Sequence, residues 1–192
     1  NFNRITLNMG TSNANVLDIT STNFTVLPTN FLTLTNGTLK VSTATATLTP
    51  FTAATTISLS GGIWLNNAGA TISTGATVTL YGYVRATDGT LNIGNASNEN
   101  LTSYGGTITI DGGAVNIAGR LDRFGATILT YFTMTSGTLT VATVGSTTAG
   151  AAPFRMDEIG STFNMSGGTI IIRRPGAGNL GYVNTGGTVC AV

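Results

Sequence analysis

The chain has 192 residues, only 8% of them charged, and a net charge of +1. An average soluble domain has roughly 25% charged residues; here threonine, about a fifth of the chain, and 26 glycines take their place. Scattered charge excludes the basic stripe that nucleic acid requires, the absence of histidine removes the commonest general base and metal ligand, and a single cysteine, Cys190, excludes an internal disulfide.

From the start, Ile5-Thr6-Leu7-Asn8-Met9 alternates apolar and polar side chains, the period of a strand with one buried face, and stops at Gly10. Val16 to Ile19 and Phe24 to Leu27 read as short strands, the second ended by Pro28. Leu32 to Val41 is the first full arch: strand, corner at Asn36-Gly37, strand. Ser42 to Thr49 alternates but is weakly apolar. Ile57 to Leu59 and Ile63 to Leu65 flank Gly61-Gly62 as a variant arch, and Ala70 to Ser73, Thr77 to Leu80 and Gly89 to Ile93 follow as strands. Thr107 to Ile117 is an arch about Gly112-Gly113. After the charged piece Arg120-Leu121-Asp122-Arg123 come a strand at Ala126 to Leu129 and the clearest arch, Phe132 to Val141. In that arch Phe132, Met134, Leu139 and Val141 share one face and threonines the other. Pro153 to Ile159 is the least strand-like segment. The arch at Phe163 to Ile172 runs into a stop at Arg173-Arg174-Pro175-Gly176, and Thr188 to Val192 reads as a further strand. No window carries a helical period, so almost no helix is expected. No run of about 18 apolar residues occurs, so membrane insertion is not expected.

Self-similarity is the stronger signal. Gly-(Thr/Ala)-(Leu/Ile/Val)-x-(Val/Ile) recurs at Gly37, Gly89, Gly106, Gly113, Gly137 and Gly168, with a weaker match at Gly187. The arches at Gly113, Gly137 and Gly168 lie 24 and 31 residues apart, the length of one turn of a parallel β-helix with a variable loop. Such a unit cannot bury its own apolar face, but stacked copies bury a continuous core. The expected fold is therefore all-β, a parallel β-helix (solenoid) of about eight irregular coils, with residues 1–192 a single segment. An antiparallel β-sandwich is the alternative, because Asn36-Gly37 between alternating strands is also a hairpin signal.

The strings Phe163-Asn164-Met165-Ser166-Gly167-Gly168-Thr169-Ile170 and Phe132-Thr133-Met134-Thr135-Ser136-Gly137-Thr138-Leu139 resemble the F-x-M-[ST]-[SG]-G-T-[LI] units of very large secreted β-strand-repeat proteins, found in bacteria that export surface proteins by type 9 secretion. The likeness extends to Ala53 to Ile57, Ile63 to Ala68 and Leu180 to Thr185, and so covers most of the chain. It implies an extracellular, cell-surface protein, adhesive or structural, that meets the outer-membrane export machinery through a separate sorting domain. Both ends read as cut from a longer repeat array, so continuation of its own chain is an expected neighbour. The calcium-binding G-G-x-G-x-D repeat of another β-helix class does not occur, and no metal or cofactor is expected.

Most charges avoid the strands and gather at Arg85/Asp88, Arg120/Asp122/Arg123, Arg155/Asp157/Glu158 and Arg173/Arg174. On one side of the coils they would form a mixed-charge patch for a glycan. Glycoside hydrolysis needs two carboxyl groups about 5–9 Å apart, and Asp157-Glu158 is the one adjacent acidic pair. The competing reading is loop charges paired with each other, worth about 0–1 kcal/mol per exposed pair. Trp64 alternates outward between Ile63 and Leu65 and offers a sugar-stacking ring unless a loop covers it. The residues nominated for glycan contact are therefore Trp64, Arg120, Asp122, Arg123, Arg155, Asp157 and Glu158; none is assigned a catalytic role. Thr-x-Thr pairs at Thr33/Thr35, Thr77/Thr79, Thr107/Thr109, Thr133/Thr135 and Thr138/Thr140 suggest an ice-binding ladder, although threonine also simply suits a strand's solvent face. Five N-x-[ST] sequons, at Asn23, Asn36, Asn95, Asn100 and Asn164, are read as structural, and Cys190 as an outward residue covered by a following coil. Taken together, the sequence describes a non-catalytic structural or adhesive segment whose many weak contacts add up to avidity. A polysaccharide-binding or polysaccharide-degrading β-helix and an ice-binding surface are the alternatives.

Overall fold

The structure is a computed structural model and describes residues 2–26, 29–123, 129–146 and 152–173, with the backbone of two further strands at 183–184 and 189–191. Three strands come first: β1 (Ile5–Asn8), β2 (Val16–Ile19) and β3 (Leu32–Val41). Five three-strand turns follow. They are β4 (Thr55–Ile57), β5 (Gly61–Leu65), β6 (Thr71–Thr74); β7 (Val78–Leu80), β8 (Tyr83–Ala86), β9 (Thr90–Ile93); and β10 (Leu101–Ser103), β11 (Thr107–Ile110), β12 (Ala114–Ile117). The fourth and fifth are β13 (Leu121–Arg123), β14 (Tyr131–Met134), β15 (Thr138–Val141) and β16 (Phe154–Arg155), β17 (Thr162–Met165), β18 (Thr169–Ile172). β19 (Val183–Asn184) and β20 (Val189–Ala191) belong to the next level.

In these turns each strand pairs in parallel with its counterpart one turn away. First strands of the turns form sheet A (β4, β7, β10, β13, β16, β19), and third strands form sheet C (β6, β9, β12, β15, β18). Second strands form sheet B (β5, β8, β11, β14, β17, β20), continued by β3, β2 and β1. The protein is a parallel β-solenoid, with no helix among the described residues. The sandwich is excluded at the place that suggested it. β3 does not fold back at Asn36-Gly37; its first half pairs with β1 and its second half with β5.

Five complete turns are fewer than the eight coils expected. Sheet B does reach eight levels along its path, but long connections in the first 54 residues leave the early levels without strands in all three sheets. Of the strand expected at Phe24 to Leu27, Val26 supplies an isolated bridge to Phe2 and Leu27 lies outside the described residues; Ser42 to Thr49 supplies one bridge, from Leu48 to Ile72. β8 and β10 were not read from the sequence at all, because Ala86 and Ser103 fill inward positions without looking apolar. Most of the expected strand at Ala126 to Leu129, and the stop from Arg174 onward, lie outside the described residues.

Inward side chains stack in columns at the inter-strand spacing of about 4.8 Å. On sheet B one column runs Leu39, Ile63, Val84, Ile108, Phe132, Phe163, all buried. The core becomes aromatic in the fourth and fifth turns: Phe132 stacks on Phe163 with centroids 5.2 Å apart, and Phe154 meets both edge-on at 5.8 and 5.7 Å. Phe132, Met134, Leu139 and Val141 are all buried, as their alternation requires.

Parallel register also accounts for the scarcity of charge. Equivalent outward residues sit one rung apart, where like charges would repel by about 1 kcal/mol even in water. Threonine is neutral and β-branched and suits such a column. Where charges sit on adjacent rungs they are opposite in sign: Asp18 beside Lys40 at 3.0 Å, and Asp122 beside Arg155 at 3.6 Å.

The glycine signature marks two different corners. Gly89, Gly113, Gly137 and Gly168 precede the strands of sheet C, with φ between 62° and 89°. Gly106 precedes a strand of sheet B instead, and Gly61 opens one. The arch at Leu32 to Val41 is offset by one corner from the later ones, because its second half lies in sheet B where theirs places the first half.

Candidate functional site

Six of the nominated residues converge on sheet A. β13 turns Leu121 inward and Asp122 outward, and β16 sets Phe154 against Leu121 and Arg155 beside Asp122. Arg120 donates to Asp122 at 2.8 Å, and Arg155 reaches Asp122 at 3.6 Å and Asp157 at 2.9 Å. Arg123 pairs with Asp157 and, at 3.5 Å, with Glu158. Three cations and three anions form one network across two turns. Arg123 holds the register place that Ile57, Leu80 and Ser103 hold in earlier turns, which explains why so little of its side chain, 9%, is exposed.

The electrostatics favour fixed charges. Burial would raise the Asp157 carboxyl, but hydrogen bonds from Arg123 and Arg155, with the charges of both, outweigh it and hold the group below its ordinary value. The Arg123 guanidinium is raised, first by its hydrogen bond to Asp157, against the opposing effect of burial. A general acid needs a carboxyl that keeps its proton near the working pH. Asp157 is pushed the other way, and Glu158 is drawn to the same arginine. Such an arrangement ties one turn to the next; it is poorly placed to give or take a proton.

Trp64 faces outward from β5, as its alternation requires, and sits on sheet B, away from this network. The seven nominated residues therefore do not form one site. In the Trp64 column, Lys40 on β3 and Arg85 on β8 approach the ring from the two flanking strands, 4.4 and 4.7 Å from its centroid. Each cation is anchored by an acid, Lys40 by Asp18 at 3.0 Å and Arg85 by Asp111 at 2.6 Å. The indole N–H donates to Thr87 Oγ1 at 2.8 Å. A sugar stacking on Trp64 would have to displace one of those cations. Arg85 thus pairs one turn on, not with Asp88, whose carboxylate accepts from the Gly89 amide at 2.9 Å.

The hydroxyl columns are real but mixed. Thr107/Thr109 on sheet B lie between Tyr83/Arg85 and Tyr131/Thr133, and Thr138/Thr140 on sheet C lie between Ala114/Asn116 and Thr169/Ile171. Neither pair has a Thr-x-Thr partner in register, so the flat two-column lattice expected of an ice-binding face does not form there. Beside them, Asn116 donates to Asn92 at 2.9 Å and Asn92 to Ser73 at 3.1 Å, a ladder of amides satisfied by each other. Of the sequons, Asn36 donates to Asn8 at 2.8 Å and Asn100 accepts from the Arg120 amide at 2.7 Å, both within the framework. Cys190 pairs in register with Phe163; its side chain, and so the outward place expected for it, lies outside the described residues.

Sequence reasoning missed Lys40, Tyr83, Asp111 and Tyr131 as surface neighbours. Counting register from the glycine corners would have set Lys40, Trp64 and Arg85 in one column. The fold and its surface define the class as a parallel β-solenoid with paired charges and hydroxyl-rich outward columns. Set against family models, curated proteins and solved structures, the chain matches none.

Proposed function

We propose that this chain is a structural and adhesive segment of a secreted, cell-surface bacterial repeat protein, displaying its solenoid surface for many weak contacts. The observation that carries this reading is repetition in register: one outward column of sheet C runs Thr71, Thr90, Ala114, Thr138, Thr169. Four of these five rungs offer a threonine hydroxyl, with rungs about 4.8 Å apart. A partner with its own repeat gains several attachments at once, and avidity grows without a strong single site. The pairing of Asp157 and Glu158 with arginine supports a role without catalysis. Export by type 9 secretion rests on the likeness of the arches alone; loss of that export channel should then trap the protein inside its cell.

The test couples the purified chain to beads at high density and measures retention on polysaccharide-coated surfaces, beside a search for released reducing sugar. Dense beads should adhere where the free chain binds weakly, with no sugar released. Sugar release that vanishes in the double variant Asp157→Asn/Glu158→Gln would replace this reading with a hydrolase or lyase.

A further inference from the structure

We propose that the outer face of sheet B is a platform for a neutral, linear, β-linked polysaccharide laid along the solenoid axis over Tyr83 and Tyr131. This rests on the adhesive reading and names its ligand class. One outward column of the sheet runs Thr38, Gly62, Tyr83, Thr107, Tyr131, Thr162. A β-carbon on Gly62 would run into the Tyr83 ring. The ring therefore lies against the Gly62 backbone, one rung along the column. The half-buried ring is backed by the Gly62 backbone before any ligand arrives, which spares ordering entropy. Tyr131, 42% exposed, occupies the same column two rungs on.

Two rungs are about 10 Å, the advance of one disaccharide in an extended β-linked chain whose alternate rings present the same face. Tyr83 and Tyr131 are thus spaced to take the C–H faces of alternate sugars, and tyrosine supplies both an apolar body and a polar tip for such a contact. Thr107 between them, and Thr109 and Thr133 in the next column, offer hydroxyls to the sugar hydroxyls. Charge decides the class of polymer. Lys40 is paired with Asp18 and Arg85 with Asp111, so the cations of this face are already neutralised and an acidic glycan gains little there.

The experiment measures retention of the purified chain on microcrystalline cellulose and on chitin, and titrates it with cellohexaose, at low and high salt. Salt-insensitive retention on at least one polymer is expected, and Tyr131→Ser should weaken it about tenfold with an unchanged thermal midpoint. Tyr81→Ser, a partly exposed corner tyrosine stacked on Tyr104, should leave retention unchanged. Absence of retention on both polymers, retention indifferent to Tyr131→Ser, or retention abolished by salt would each overturn the proposal. If these fail while the dense beads still adhere to other surfaces, the platform is wrong and the adhesive reading stands.

Discussion

In the variant Gly137→Ala the new β-carbon meets two obstacles of different origin. The backbone there has φ of 78°, a left-handed conformation that costs an L-residue roughly 1–2 kcal/mol. The β-carbon would also lie 2.5 Å from the Gly113 carbonyl oxygen and 2.6 Å from the Gly112 carbonyl carbon. These are backbone atoms of the turn beneath and cannot swing aside as a side chain does. Relief requires the third and fourth turns to part at this corner, where the Thr138 amide donates to Gly113 O at 2.9 Å. Weakening that bond adds about 1–2 kcal/mol, so the total is about 2–4 kcal/mol, a large share of a typical stability of about 5–15 kcal/mol. Two other variants separate the causes. Gly160→Ala has φ of 93° but a movable Leu129 methyl at 3.2 Å as its nearest neighbour, and should show the conformational cost alone. Gly167→Ala lacks the positive φ but strikes the Thr135 carbonyl oxygen, and should show the contact alone. Urea unfolding followed by far-UV circular dichroism ranks the three, and hydrogen exchange at the Thr138 amide reports the local parting. Equal midpoints for Gly137→Ala and Gly160→Ala would refute the claim that contact between turns, beyond backbone conformation, sets the cost.

Phe132→Ala removes the ring that packs against both Phe154 and Phe163 and should cost about 3–5 kcal/mol, read as a lower urea midpoint with the β-sheet spectrum retained. The folded Asp157 carboxyl titrates below its unfolded value, so its stabilisation is complete above that unfolded value and is lost as pH falls through the folded one. Asp157→Asn should therefore lower the thermal midpoint at neutral pH and flatten its decline in acid; a variant with an unchanged acid limb would show that other carboxylates carry it. Arg85→Ala uncovers one side of Trp64 and removes a cation–π contact worth about 0.5–1 kcal/mol, so acrylamide should quench the single tryptophan more strongly. Unchanged quenching would mean that Arg85 does not shield the ring.

The strand segments around Phe132 and Phe163 were legible because their information is local. Alternation at period two assigns each side chain a face, and glycine at a corner is demanded by backbone sterics within a few residues. β8 escaped notice for the same reason in reverse: Ala86 fills an inward place that only its neighbours Leu65 and Ile110 make apolar. The candidate site was legible as composition but not as arrangement. Arg123 and Asp157 stand 34 residues apart, and nothing near either residue announces the other.

By itself, then, the amino-acid sequence determined a glycine-cornered, all-β chain with apolar columns inside and threonine outside, since each of those features follows from side-chain chemistry over a few residues. Tertiary structure alone decided which rungs adjoin. It joined the charged pieces of two turns into one network, closed Trp64 between Lys40 and Arg85, and set Tyr83 and Tyr131 in one column. The physical reason is that a parallel stack matches residues about one turn apart, and the connections that set each turn's length vary. Lys40 meets Trp64 after 24 residues and Trp64 meets Arg85 after 21, so the partner of an outward side chain is chosen by loop length as much as by its own kind.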